Sequence, residues 1–436
     1  MKRENYDVVV IGSGIGGMCA AALLTQEGYK TLVVERLPRI GGRFSTIKYK
    51  GFKLTTGAMV VEIGGFIEQI FGRVGAKFEV HPVASPRYRI EGKEYELPRK
   101  GGLRTIVSLV SGNERESEGV MSAIKRGLSW QKPSDSISFR EWLLQYTQNE
   151  RILKTFWALI TAVQAVNDHE LPTGEFFRYL QVPRPPNYGF APRGNLALME
   201  SLAEAIQANH GEVRTRCLAK QIIVTDGMVR GVIIQKDKDE TQIAAKVVIS
   251  NAGPRKTVEL AGRENFDKGY LKQLNETIRP APIFWIQAAT DRPLVECPML
   301  YLTGARRVNL VVCPTLVCPE LAPHGKHLLM SGGAPDSSLP PYDFEKEKKL
   351  NIQDLRDNFP GFDEHTEILV ASYFREDWPT YHSWPGYDLS QKTPIENLYN
   401  VGDGVKPPGW SGLRACAQSA RLVVEDIRGR FKPGEA

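Results

Sequence analysis

The run from Tyr6 to Leu24 constrains this chain more than any other stretch. Tyr6-Asp7-Val8-Val9-Val10-Ile11 is apolar and β-branched on both faces, as a strand buried in a parallel sheet is, and it leads straight into Gly12-Ser13-Gly14-Ile15-Gly16-Gly17. Ala20, Ala21, Ala22, Leu23 and Leu24 then predict a tightly packed helix. A strand, a G-x-G-x-x-G turn and a helix in that order bring bare backbone N–H groups and a positive helix end to one point, where a dinucleotide pyrophosphate can sit. Gly12 suits the tight turn, Gly14 the approach of phosphate and Gly17 the packing of helix on strand, with Ile15 and Gly16 counted among the binding positions.

The next strand, Thr31-Leu32-Val33-Val34, ends at Glu35, 18 residues after Gly17. A carboxylate at that spacing can accept both hydroxyls of a ribose. Strand, glycines, helix, strand and acid in register make dinucleotide binding the reading of this segment.

The length of 436 residues suits two or three domains, and 42% hydrophobic with 24% charged residues is the balance of a soluble globular protein. The longest apolar run, Ile152 to Val166, is broken by Lys154, Thr155, Thr161 and Gln164 and falls short of the roughly 20 residues a membrane span needs. Met1 to Asn5 is charged and leaves no room for an apolar signal region, so the expected location is cytoplasmic. Six cysteines, at 19, 217, 297, 313, 318 and 416, form no zinc-like C-x-x-C pair and no dense disulfide framework. Cys313 and Cys318 have a C-x-x-x-x-C spacing, but each precedes a proline, and reduced buried thiols are expected. The net charge of +6 is spread along the chain apart from a cluster at Arg87, Arg89, Lys93, Arg99, Lys100 and Arg104. A solvated surface accounts for it, with peripheral contact to an anionic membrane as the second account, and nucleic acid is not among the expected partners.

After Glu35 comes Arg36-Leu37-Pro38-Arg39-Ile40-Gly41-Gly42-Arg43, a turn with three arginines suited to an anion. Glu35, the following residues and Gly41-Gly42-Arg43 resemble the flavin-containing amine oxidase and phytoene desaturase superfamily, in which the dinucleotide is FAD. The resemblance implies that Arg36, Gly42 and Arg43 lie at the cofactor, and that Gly51 to Met59 passes the flavin ring with Gly57, Ala58 and Met59. Thr55 stands where the family usually has aspartate. It further implies that the backbone at Ala219 reads the adenine and that the turn Asn251-Ala252-Gly253 lies near the cofactor. In Tyr399-Asn400-Val401-Gly402-Asp403-Gly404, Gly402 and Asp403 would meet the ribityl or phosphate portion of FAD. The helix beginning at Gly412 and Leu413 would aim its N-terminus at flavin N1 and the C2 carbonyl, where a reduced flavin gathers negative charge. Lys406 to Gly412 is most similar to the carotenoid desaturase and retinol saturase branch.

The expected fold class is α/β: a Rossmann-type FAD-binding domain with a parallel sheet, interrupted by an α+β substrate-binding domain. Residues 1–62, 190–275 and 394–436 are assigned to the first, 63–189 and 276–393 to the second. Residues 63 to 190 read as a helical cap, in which a helix from about Asn149 to Val166 carries Phe156, Trp157, Leu159, Ile160 and Val163 as core or as a wall of a substrate cavity. A helix is expected over Leu198 to Ala208. Glu212 to Val224 and Val229 to Gln235, about Asp226-Gly227, read as a β-hairpin. The runs 283–286, 310–312, 328–330 and 368–370 read as a sheet flooring the substrate site, and Pro335 to Lys349 as a polar surface loop. No second G-x-G-x-x-G appears, which speaks against a separate NAD(P)H domain of the disulfide-reductase kind.

These features imply a FAD-dependent oxidoreductase that takes a hydride from a C–H bond to flavin N5, forming or rearranging a C=C bond. The apolar cap and Trp285, Trp384 and Trp410 imply a hydrophobic substrate such as an isoprenoid, polyene or alicyclic ring. Three alternatives remain: amine oxidation with Trp384 and Trp410 flanking the flavin, a redox-neutral isomerase, and a prenyl-binding escort protein without redox chemistry. The electron acceptor, whether oxygen, quinone or redox protein, is not legible. No catalytic residue is assigned; His382 is the first candidate for a base and Tyr381 the second.

Overall fold

The computed structural model describes residues 2–98, 100–374 and 382–434. Its first sheet has seven strands, in the order Glu212–Arg214, Thr31–Val34, Lys2–Ile11, Asp239–Ser250, Met228–Lys236 and Cys217–Thr225, with Leu398–Asn400 paired parallel to the end of Asp239–Ser250. The first strand sits between parallel neighbours, with Val8 opposite Val247 on one side and Thr31 on the other. Its alternation explains why no polar face is present: Val8 and Val10 enter one core with Ala20, Leu24 and Val424, while Val9 and Ile11 enter another with Leu32, Val248 and Leu274. The first core is closed by the helices Ile15–Gln26, Asn195–Ala208 and Gly412–Arg430, so the two ends of the chain pack together.

Glu212 to Val224 is not one strand. Arg216 takes a left-handed backbone (φ 52°), and the Cys217 N–H donates to the Glu35 carbonyl at 2.8 Å, so the chain changes partners there. Glu212–Arg214 runs parallel to Thr31–Val34, whereas Cys217–Thr225 forms the antiparallel hairpin with Met228–Lys236. Positive φ at both Asp226 and Gly227 is the turn geometry that matches strand twist.

The second sheet runs Thr366–Phe374, Ile283–Thr290, His327–Gly333, Val308–Val312, Met299–Leu302, Arg87–Ile90 and Lys93–Glu96. The last two strands lie inside the stretch read as a helical cap; Tyr88 pairs in parallel register with Tyr301 and extends this sheet. Phe66–Val74, also in that stretch, buries Ile67, Ile70, Phe71 and Val74 in the core of the first sheet. The remaining cap is helical from Gly102 to Gln181 and is centred on Phe139, whose ring lies 4.1 Å from Phe176 and 5.3 Å from Phe156. Pro335 to Lys349 is not wholly a loop. Asp343 accepts from the Lys346 N–H and starts the helix Phe344–Asn358, while buried Glu347 pairs with Arg307 at 2.6 Å.

All six cysteines are unpaired thiols. Among the described residues no helix is long and apolar enough to cross a membrane.

Candidate active site

The glycine turn is built from contacts that exclude side chains. Gly12 has φ 94° and donates to the Val34 carbonyl at 2.8 Å, tying the turn to the second strand. A Cβ on Gly17 would overlap the Gly12 carbonyl, and one on Gly14 would overlap the end of the Asn251 side chain. A Cβ on Gly16 would stand 3.0 Å from the Gly402 nitrogen. With its amide turned to satisfy both ends, Asn251 accepts from Gly14 N and donates to Val401 O, each at 3.1 Å. Gly14, Ile15, Gly16, Gly17, Asn251 and Gly402 are thus brought together, and Gly14 makes room for protein as well as for any phosphate. Ile15–Gln26 begins with no capping side chain and no acid in its first turn, leaving its N–H groups and positive end to a ligand.

Glu35 is buried beside this turn. Its carboxylate accepts from Ser13 N at 3.0 Å, Ser13 Oγ at 2.6 Å and Leu37 N at 2.9 Å. Ser13 was not singled out by the sequence, where it occupies a variable position of the motif. Gly41 (φ 102°) donates to Ser13 O at 3.0 Å, docking the arginine loop onto the glycine turn, and Gly42 follows at φ 54°. Arg36 is exposed, whereas Arg39 Nε is buried with no hydrogen-bond partner among the described residues. Ala219 lies near the start of the strand whose Cys217 bonds to Glu35, and half-buried Ala252 packs on the second core.

Arg43 joins the flavin-ring segment to the chain's end. Its carbonyl accepts from Ala58 N at 3.0 Å and would stand 2.6 Å from a Cβ on Gly57, while its guanidinium reaches Asp403 at 2.6 Å. Thr55 serves locally in place of the aspartate: its hydroxyl donates to Ala58 O at 2.7 Å, and Gln287 from the second sheet exchanges bonds of 3.0 and 2.9 Å with its backbone. Asn195 adds a bond to Ala58 O at 2.8 Å. A cavity lined by Thr55, Met59, Phe190, Leu328 and Met330 opens beside this turn.

Asp403 also pairs with Lys406 at 2.6 Å, and the fully buried Lys406 ammonium meets Asp388 at 2.9 Å. Burial alone would lower the Lys406 pKa, but the two aspartates outweigh it and hold the group above its usual value. The helix Gly412–Arg430 follows. Its Ser411 makes no side-chain cap, and Leu413 packs against the core shared with Ile15–Gln26. Two uncapped helix starts, a buried carboxylate at the second strand's end and the orphaned Arg39 nitrogen fit a dinucleotide laid between them.

Sequence reasoning missed a second group. Glu62 lies three residues past Met59, with one oxygen 3.5 Å from Arg414 Nε. Its other oxygen, like that nitrogen, is buried without a hydrogen bond among the described residues. Burial pushes the Glu62 carboxyl up to about 7, against the pull of Arg414. Arg414 donates to Pro183 O at 2.7 Å and lies over the rings of Tyr179 and Trp410. The only sequence signal was an acid in an otherwise apolar three-residue strand, Val61–Ile63. Of the candidate bases, Tyr381 lies outside the described residues, and for His382 only the backbone is described, paired with Ala281. Trp384 is buried among the cap helices against Tyr387 and Arg279, whereas Trp410 meets Phe66 and Arg414, so the two rings stand in different surroundings.

The family model described as flavin containing amine oxidoreductase matches residues 15–428. An oxidoreductase structure from Methanosarcina mazei superposes with a TM-score of 0.85 at 27% identity, covering 96% of this chain and 99% of that one. An uncharacterised protein of Methanocaldococcus jannaschii is 28% identical over 96% of this chain and 98% of its own length. The chloroplastic prolycopene isomerase of Arabidopsis thaliana is 26% identical over 97% of this chain and 83% of that protein.

Proposed function

This chain belongs to the flavin containing amine oxidoreductase family, and on that premise we propose that this FAD-dependent oxidoreductase removes a hydride from a C–H bond of a hydrophobic substrate, an isoprenoid, polyene or alicyclic compound, and so forms or rearranges a C=C bond. The observation that supports the reading is the apolar side of a small cavity beside the Thr55–Met59 turn, formed by Met59, Phe190, Leu321, Leu328 and Met330, whose other lining residues include Thr46, Lys53, Thr55 and Asn195. The apolar side excludes water from a reacting C–H bond, and the Lys53 cation in the lining disfavours a substrate ammonium there.

In this reading Glu35 takes the adenosine ribose, the Gly12–Gly17 turn and the arginine loop take the pyrophosphate, and the start of Gly412–Arg430 faces the polar end of the ring system. When bound, the cofactor supplies the two-electron acceptor that no side chain provides. Glu62 is the group able to hold or release a proton near neutral pH, at its free Oε2. The discontinuous unit 1–62, 190–275 and 394–436 would carry the cofactor, with the helix Phe66–Val74 packed onto it, and the rest would carry the substrate. A redox-neutral isomerisation is the second reading, favoured by the likeness to prolycopene isomerase.

Anaerobic mixing of the FAD-loaded protein with apolar polyenes and with primary amines separates the readings. Bleaching of the oxidised flavin band by a polyene supports hydride removal, and rearranged product without bleaching supports the isomerase. Bleaching by amines alone overturns both in favour of amine oxidation.

A further inference from the structure

Arg184 is a cation without an acidic partner among the described residues. It is exposed, and among the described residues it has neither an ion pair nor a hydrogen bond; its guanidinium lies over the Tyr179 ring at 5.6 Å. The segment that presents it, Val182-Pro183-Arg184-Pro185-Pro186, is pinned at three points. Pro183 O holds Arg414, Pro185 lies against Gly65, and Pro186 lies close enough to Gly64 to exclude a Cβ there. Three prolines also fix φ on both sides of the cation, so its position is set by the backbone and not left to a mobile loop.

Four tyrosines lie within the electrostatic reach of this cation, and Tyr179 is in contact with it. Tyr88 and Tyr301 are neighbours in parallel register and stack with ring centroids 4.9 Å apart and an interplanar angle of 7°. Tyr188 stands opposite Glu62 in its strand pair, and Tyr179 carries the Arg184 and Arg414 guanidinium groups over its ring. The hydroxyls of Tyr88, Tyr179, Tyr188 and Tyr301 bond to no described residue. Burial raises all four phenols, and the charge of Arg184 opposes that rise at each of them. One guanidinium is therefore felt at four phenols held as neutral donors, and among the described residues the one carboxylate acting on them is Glu62, which lies beside Arg414. Tyr188 and Tyr301 also pack onto the apolar cluster that contains Met59, beside Trp285. Met59 of the flavin-ring segment, Trp285, Tyr188 and Tyr301 thus belong to one apolar and aromatic cluster, and Arg184 acts on the phenols at its edge.

We propose that the substrate is amphiphilic, an apolar body ending in a carboxylate or phosphate group, and that Arg184 with the hydroxyls of Tyr88, Tyr179, Tyr188 and Tyr301 docks that anionic end. The anion supplies the countercharge Arg184 lacks and accepts the phenolic hydrogens, while the apolar body lies toward Met59. This rests on the reading of the Met59 cavity as the substrate site.

Isothermal titration of the FAD-loaded protein with two matched pairs tests it: retinoic acid against retinol for a carboxylate end, and farnesyl phosphate against farnesol for a phosphate end. At least one anion is expected to bind about tenfold or more tightly than its alcohol, the worth of one charge-assisted bond. Arg184→Gln is expected to erase that preference while leaving FAD content and alcohol affinity unchanged. Which pair shows the preference identifies the anion. Equal affinities within both pairs, failure of both anions to bind, or a preference that survives Arg184→Gln overturns the proposal. A preference that depends on Arg184 in a protein whose flavin no polyene bleaches would sink the proposed reaction and leave the docking site standing.

Discussion

Replacing Glu62 by glutamine should flatten the dependence of stability on pH. The carboxyl is pushed from 4.5 up to about 7 by burial, and Arg414 at 3.5 Å is too distant to offset that with a hydrogen bond. The folded-state pKa lies above the unfolded one, so the folded protein binds more protons between these values. Stability is therefore full below about pH 4.5 and is lost as pH rises through about 7. A shift of roughly two units is worth about 3 kcal/mol between pH 4.5 and 8. The side chain is only 16% exposed, which leaves solvent little room to reduce the effect. The groups facing Glu62 are Arg414 and the phenols of Tyr179 and Tyr188, and burial raises both phenols away from this window. Urea unfolding at saturating FAD, from pH 5 to 8, compares the two proteins. Every other titrating group is common to both, so the difference in slope belongs to Glu62. The wild type should lose about 2–3 kcal/mol more than Glu62→Gln; parallel curves would refute the argument.

Lys406→Met leaves Asp388 and Asp403 buried against one another without their shared cation. It should cost about 3–5 kcal/mol in urea unfolding and lower the flavin content on purification, with Lys406→Arg recovering part of both. Gly17→Ala places a methyl group into the Gly12 carbonyl and should abolish folding of the first unit, read as loss of soluble protein. Gly412→Ala meets no protein atom within 4 Å but must hold φ 66°, so it should cost only about 1 kcal/mol in urea unfolding of the FAD-free protein.

Features carried by neighbours in sequence were legible, and features assembled across the chain were not. The two-faced apolarity of Val8 to Ile11, the glycine turn and Glu35 announce a buried parallel strand and the turn after it, because period, turn and strand end are all local. The strand break at Arg216 was invisible, since nothing in Glu212 to Val224 interrupts its β-propensity; the second strand chooses the partner through Glu35. Pro335 to Lys349 reads as polar surface because Glu347 looks solvated until Arg307, forty residues earlier, comes to meet it. The site divides in the same way. Gly41-Gly42-Arg43 and Gly402-Asp403 could be named from their motifs, while the Arg43–Asp403 pair joins residues 360 positions apart. Glu62 with Arg414, and Arg184 with four tyrosines from four different elements, carry no motif at all. Their chemistry exists only once the chain's end has packed on its beginning.

Titration of the deflavinated protein with FAD, comparing wild type with Glu35→Gln, tests the cofactor placement most directly. The carboxylate accepts from Ser13 on one oxygen and from Leu37 N on the other, so in either orientation a glutamine turns its NH2 toward an existing donor. It also presents a neutral group to the ribose. The account predicts a Kd for FAD raised about tenfold or more, with turnover at saturating FAD hardly changed. An unchanged Kd would contradict it, and with it the register that sets the Gly12–Gly17 turn and Glu35 around the adenosine end of the cofactor.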